Sequence, residues 1–315
     1  MLLPIFFILS SLILMYFGTS WLVKGSSSLA LKAGISPLIA GLTIVAFGSS
    51  LPQFTVSVNA ALSGHSNIAI GNVMGSNLFN ICIILGISAL VSSMKIKMQL
   101  LKFEILILVL STVIFMMLFA DRQINRFEGG ILLLGLILYT TVKIILSRKE
   151  INADVHNEFG KSIPDPRMKW YYSASLIFLG IGVLLAGSQL LVNGAVSVAR
   201  LLGVGETIIS LTIITIGTST SLLATSIYAT TRKQYDIAIG NVIGASIFNI
   251  LGVIGISALI NPLSAIAISN IDLFVMFGVT LFLLQFFRAK YILKRDDGIF
   301  MIGMYLIYMY YLWPK

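Results

Sequence analysis

Ten runs of about 20 predominantly apolar residues divide the chain, at roughly 3–24, 35–62, 67–91, 100–120, 127–147, 171–199, 206–230, 236–260, 268–287 and 297–313. Each can cross the hydrocarbon core of a bilayer, and within lipid a single segment satisfies its own backbone only as a helix. The pattern therefore predicts an all-α polytopic membrane protein with ten transmembrane helices. Hydrophobic residues make up 57% of the 315 positions and charged residues 10%, too apolar a balance for a soluble domain. The first run has neither a basic start nor a small-residue cleavage site, so it is read as mature structure rather than a signal peptide.

The formal net charge of +9 would suit nucleic acid if the basic residues clustered, but they follow the membrane sides instead. With the N-terminus outside, 17 of the 21 Lys and Arg residues fall on inner loops and helix ends, leaving Arg122, Arg126, Arg200 and Lys315 outside. The positive-inside bias predicts both termini outside and a cytoplasmic central loop, in a plasma (inner) membrane protein. The partner this charge pattern implies is the lipid bilayer, not nucleic acid. Cys82 lies in an apolar run and is expected to be a small buried hydrophobe. His65 and His156 are expected in solvated loops, since no partner stands at metal-ligand spacing.

The chain is also a duplication. IAIGNVMGSNLFNI (Ile68–Ile81) returns as IAIGNVIGASIFNI (Ile237–Ile250), identical at ten of fourteen positions and 169 residues later. The offset holds without a gap from Gly18/Gly187 through Gly48/Gly217 and Ser57/Ser226 to Gly86/Gly255. Five spans fill one period, so the second copy enters the bilayer from the opposite side. That predicts two inverted-topology repeats, 1–147 and 170–315, joined by a cytoplasmic linker at 148–169, with a substrate site near the midplane where the copies meet.

Within each copy the second span carries glycine followed by two hydroxyl residues, Gly48-Ser49-Ser50 and Gly217-Thr218-Ser219, and the third carries G-N-V-x-G with F-N-I following. Small residues at this spacing let helices approach, which accounts for Gly71, Gly75, Gly240 and Gly244. Asn72, Asn77, Asn80, Asn241 and Asn249 lie in apolar runs and require partners. Pro52 removes a backbone donor mid-span and frees the carbonyl of Gly48, which predicts a break in the second helix. Freed carbonyls at membrane depth are tolerated where they line a cavity, and there they coordinate cations.

These paired motifs resemble the alpha-repeats of the cation/Ca2+ exchanger superfamily, the sodium/calcium exchangers among them, over both halves of the chain. The resemblance implies ten helices in an inverted repeat, an antiporter working by alternating access, and an ion site at the helix breaks. Carried over residue by residue, that ion- or substrate-binding site falls on Ser49, Ser50, Gln53, Ser76, Asn80, Thr218, Ser219 and Asn249. The glutamates the resemblance calls for are absent. Gln53 stands at the first position and Leu222 at the second, with Ser221 in place of its proline, and Ala245 replaces the serine corresponding to Ser76.

All twelve acidic residues are expected at loops or span ends, Glu104 and Asp272 among them, so the site is read as free of carboxylate ligands. Ca2+ takes six to eight oxygens, carboxylates prominent among them, and an ion in low dielectric faces a Born cost of order 20 kcal/mol before relaxation, more for a divalent. Carbonyls, hydroxyls and amides replace hydration adequately for a monovalent ion. A cation antiporter with Na+ or another cation as substrate is therefore the first expectation, with no cofactor. A transporter of an uncharged or organic solute, a degenerate non-transporting member acting as a binding or regulatory protein, and a channel remain as alternatives. An enzyme is not expected, because no nucleophile with its base, metal cluster or phosphate loop lies outside this frame.

Overall fold

The computed structural model describes residues 2–32, 46–95, 98–149, 168–231, 235–284 and 292–312. Residues 150–167 of the expected linker, with His156, and the start of the second expected span lie outside the described residues. In chain order the first copy holds α1 (Leu2–Lys32), α2 (Ala46–Leu62), α3 (Ser66–Phe79), α4 (Leu85–Val91), β1 (Met94–Lys95), α5 (Met98–Leu118), β2 (Gln123–Ile124) and α6 (Arg126–Lys149). The second holds α7 (Trp170–Leu202), α8 (Glu206–Ile209), α9 (Thr215–Thr231), α10 (Tyr235–Phe248), α11 (Gly255–Ile260), β3 (Leu263–Ser264), α12 (Asn270–Phe282), β4 (Ile292–Leu293) and α13 (Arg295–Leu312). Single π-helical turns join α3 to α4 at Asn80–Ile84, α8 to α9 at Ser210–Ile214 and α10 to α11 at Asn249–Ile254.

α3 forms the centre, with every residue from Ile68 to Phe79 buried, and α10 lies beside its π turn. Around them α1, α6, α7 and α13 turn large apolar side chains outward, including Phe6, Tyr16, Leu134, Phe178 and Ile307, as helices bordering lipid do. Among the described residues, four helices are long and apolar enough to cross a membrane, Leu3–Leu22, Ser66–Val91, Trp170–Leu202 and Ala238–Ile260. A fifth follows if the bent pair Thr207–Thr220 and Leu222–Thr231 counts as one span. Phe103–Leu118 and Asn270–Phe282 are shorter apolar helices. α13 opens on Arg295, Asp296 and Asp297.

The packing exchanges the two copies. Met94 pairs with Leu293 and Ile124 with Leu263, both in antiparallel two-residue ladders. Adding 169 to Met94 gives Leu263, and adding it to Ile124 gives Leu293, so one ladder becomes the other. Close helix contacts follow the same rule. A Cβ at Gly129 would lie 2.8 Å from the Gly255 carbonyl, and one at Gly298 would lie 2.6 Å from that of Gly86. Between α1 and α7, Gly25 faces Ser173 and Ile177 while its repeat mate Gly194 faces Pro4 and Ile8. Side chains at these glycines would force the backbones apart.

The expected break at Pro52 does not interrupt the helix. α2 runs continuously from Ala46 to Leu62 with Pro52 inside it, whereas the proline-free counterpart bends by 53° between Thr207–Thr220 and Leu222–Thr231. A proline removes one hydrogen bond in an otherwise continuous helix. In the second copy the bend directly follows Thr220, whose Oγ1 donates to the Ile216 carbonyl of its own helix at 2.7 Å. Such a bond bends a helix without proline.

Candidate functional site

Asn72 draws three helices together. Its Nδ2 donates to the Gln53 carbonyl at 3.2 Å and to Ser57 Oγ at 3.0 Å, and its Oδ1 accepts from Thr218 Oγ1 at 3.1 Å. The third helix is thus bound to the second helix of its own copy and to the hydroxyl pair of the other copy. Gly71 and Gly75 permit this approach, because a Cβ at Gly71 would overlap Ser210 Oγ and one at Gly75 would overlap Thr215 Oγ1.

Gln53 Nε2 donates across the copies to Ser219 Oγ at 3.3 Å. Asn80 and Asn249 each open a π turn. Asn80 Nδ2 reaches Ser246 Oγ at 3.5 Å, a long bond, and Asn249 Nδ2 donates to Asn77 Oδ1 at 3.1 Å. Asn77 in turn donates from Nδ2 to the Ser246 carbonyl at 3.2 Å. Gln53, Asn80 and Asn249 are all 0% exposed, so none faces lipid. A π turn sets the residues before and after it out of ordinary helical register, and such turns recur at functional sites.

The oxygens of these residues are used differently from their nitrogens. Gln53 Oε1, Asn80 Oδ1, Asn249 Oδ1, Ser50 Oγ and Ser76 Oγ are buried without a hydrogen-bond partner. Asn67 Oδ1 and Ser226 Oγ, on the helices that carry the repeat motifs, are likewise unmet. A buried polar atom without a partner costs about 1–3 kcal/mol, so these helices carry an unusual concentration of oxygens free to accept.

Of the expected site residues, Thr218 and Ser219 join the network as described, and Ser50 and Ser76 are buried beside it in sequence. The side chain of Ser49 lies outside the described residues. Leu222 and Ala245, at the positions of lost ligands, are buried at 0% and 2% exposure. The repeat mate of the Gln53–Ser219 bond would join Leu222 to Ser50, and leucine has no group to give, so Ser50 Oγ keeps no partner. Asn72, Asn77 and Ser246 were not among the expected site residues. The signal for the two asparagines was their position in apolar runs, and for Ser246 only its standing as the repeat mate of Asn77.

The acids are not all at solvated ends. Asp272, in the first turn of α12, is buried, closes a capping box with Ser269 and accepts from Tyr308 Oη at 2.8 Å. Glu104 lies about two turns inside α5 and pairs with Lys143 Nζ at 2.7 Å, which also donates to Tyr139 Oη at 3.3 Å. This ion pair faces α10, where a Cβ on Gly240 would sit 3.8 Å from Glu104 Oε2 and one on Gly244 would sit 3.9 Å from Lys143 Nζ. A salt bridge at that depth was not legible because the two residues lie on different runs, 39 positions apart.

The sequence matches the family described as sodium/calcium exchanger protein over residues 3–145 and 172–313. It is 36% identical over 320 residues to the CaxA protein of Alkalimonas amylolytica, covering 100% of both chains. It is 28% identical over 344 residues to the sodium/calcium exchanger MaX1 of Methanosarcina acetivorans, covering 96% of each. Among solved structures it is similar to the sodium-calcium exchanger NCX_Mj soaked with 2.5 mM Na+ and 0.1 mM Ca2+, with a TM-score of 0.66, 29% identity and 99% of each chain covered.

Proposed function

The chain belongs to the sodium/calcium exchanger family, and from that premise we propose that it is a cation antiporter whose carboxylate-free site takes a monovalent ion such as Na+. The observation that carries the reading is the polarity of the site. The amide nitrogens of Gln53, Asn80 and Asn249 each donate to a protein acceptor, while their oxygens and the hydroxyls of Ser50 and Ser76 have no protein partner. Neutral oxygens can replace the hydration of one charge and compensate poorly for two. Ser49, Thr218 and Ser219 complete the proposed ligand set.

The exchange of the two strand ladders under the 169-residue offset supports two related repeats, 1–147 and 170–315, and the distribution of basic residues supports a cytoplasmic linker and both termini outside; ten helices in inverted topology and alternating access between the copies complete the proposal. The buried Leu222 and Ala245 favour a second reading, an uncharged or organic solute. It ranks lower because the amide oxygens of Gln53, Asn80 and Asn249, buried and without a protein donor, suit a cation directly.

Thermal unfolding of the purified protein against Na+, K+, Li+, Ca2+, Mg2+ and small neutral solutes tests the proposal, since a ligand of the folded state at 100 times its Kd adds about 2.7 kcal/mol of stability. A monovalent cation is expected to raise Tm at millimolar concentration. Micromolar Ca2+ binding would overturn the carboxylate-free reading, and stabilisation by neutral solutes alone would move the assignment to the second.

A further inference from the structure

We infer that Asn77 and Ser246 are the positioning residues that turn the Asn249 and Asn80 amide oxygens toward the transported ion and so make the site selective for cations, an inference that rests on the proposed function. A side-chain amide can present either its oxygen or its NH2, and the choice is fixed by what its other end bonds. Two chains of fixed polarity meet here. A backbone carbonyl only accepts, so the Ser246 carbonyl holds Asn77 Nδ2 toward itself at 3.2 Å. That leaves Asn77 Oδ1 to accept from Asn249 Nδ2 at 3.1 Å, and Asn249 Oδ1 is the atom left over. The Ser246 hydroxyl gives its one proton to the Val242 carbonyl at 2.9 Å, so toward Asn80 it can only accept. Asn80 Nδ2 therefore faces Ser246, and Asn80 Oδ1 is left over.

The two chains are repeat images of one another. Asn77 and Ser246 are mates at the 169-residue offset, as are Asn80 and Asn249, so the bond from Asn80 to Ser246 maps onto the bond from Asn249 to Asn77. The four side chains lie about the relation that exchanges the copies, each acceptor orienting the other copy's ligand. An amide oxygen and a hydroxyl do the same work at the two mates, which shows what is required there: an acceptor of fixed polarity, not a particular side chain.

The test measures Na+ binding to the full-length purified protein by isothermal titration calorimetry at constant ionic strength, with Tm recorded in Na+-free buffer. Asn77→Ala and Ser246→Ala are expected to weaken Na+ binding by roughly tenfold or more, the usual effect of removing a partner that orients a metal ligand. Asn77→Ser supplies the hydroxyl acceptor that the mate already uses and is expected to keep most of the affinity. A role in packing alone would not be rescued in that order. Ser246→Ala removes only a hydroxyl whose donated bond stays within its own helix, so it carries the test if Asn77→Ala fails to fold. Wild-type Na+ affinity in Ser246→Ala or in folded Asn77→Ala would overturn the inference and leave the proposed function standing, as would Asn77→Ser losing as much as Asn77→Ala at unchanged Tm. Failure of the unmodified protein to bind Na+, K+ or Li+ would overturn both.

Discussion

Replacing Gln53 by glutamate puts a charge where the site now has an amide oxygen, and its surroundings determine how much of that charge is felt. Gln53 is fully buried, and its Nε2 is held by Ser219 Oγ at 3.3 Å. A carboxylate loses that donor, but the serine hydroxyl can turn and donate to it, so the exchange leaves no new unmet group. A unit charge about 4 Å from a divalent ion at an effective dielectric constant near 20 attracts it by about 8 kcal/mol, twice the value for a monovalent. Desolvation of the carboxylate removes several kcal/mol of that, leaving a gain of a few kcal/mol, or about ten- to a hundredfold in Ca2+ affinity. The same change at Leu222 is less favourable. It removes about 1.5–3 kcal/mol of apolar burial, and Ser50 offers the one counterpart hydroxyl the repeat relation supplies. Equilibrium binding of radioactive Ca2+ to Gln53→Glu, Leu222→Glu and the double variant, each checked for folding by gel filtration and Tm, should rank the first above the second and the double highest. Unchanged Ca2+ affinity in folded Gln53→Glu that still binds Na+ would refute the placement of residue 53 beside the ion.

Gly75→Ala should abolish transport or lower Tm markedly, because its Cβ would meet Thr215 and the Leu211 backbone, whereas the mate Gly244→Ala, with Lys143 Nζ 3.9 Å away, should change stability by no more than about 0.5 kcal/mol. Glu104→Gln should destabilise the protein by about 2 kcal/mol by leaving Lys143 unpaired, less than a fully buried pair would lose because the Lys143 side chain stays 32% exposed. Adding Lys143→Met to Glu104→Gln should recover most of the loss in a chemical-denaturation series, and strictly additive losses would deny the coupling. In a Cys82→Ala background, Ser50→Cys should react with a membrane-impermeant thiol reagent from one side at a time, with Na+ changing the rate, because a ligand that prefers one state shifts the population toward it. Labelling from a single side, indifferent to every cation tried, would favour a non-transporting protein.

That Gln53, Asn80 and Asn249 hold equivalent, buried places in the repeat was legible because motif and spacing coincide: Gln53 to Asn80 is 27 residues, as is Leu222 to Asn249. Residue type at each position then set the absence of charge. The direction each amide points could not be read, since it depends on acceptors from the other copy, and the mates Asn77 and Ser246 differ in type and look like a mismatch in the repeat. Pro52 was misleading as a breaker, because a proline removes one hydrogen bond and α2 continues through it. Glu104 looked like a span end because hydrophobicity averages over a run and does not reveal a lysine on the next helix at the same depth.

The crossed ladders, β1 with β4 and β2 with β3, leave each copy with two half-built edges and no means of completing either alone. A protein made of the first copy only would present Met94–Lys95 and Gln123–Ile124 unpaired, together with glycine faces shaped for an opposing backbone. A second identical molecule turned about a two-fold axis offers both missing strands at once, which is the self-complementary contact of a symmetric dimer. The single chain thus holds within one molecule the contacts of a symmetric dimer. Its two sides are not identical, since Gln53 in one copy stands where the other has Leu222, an amide in one half and hydrocarbon in its mate.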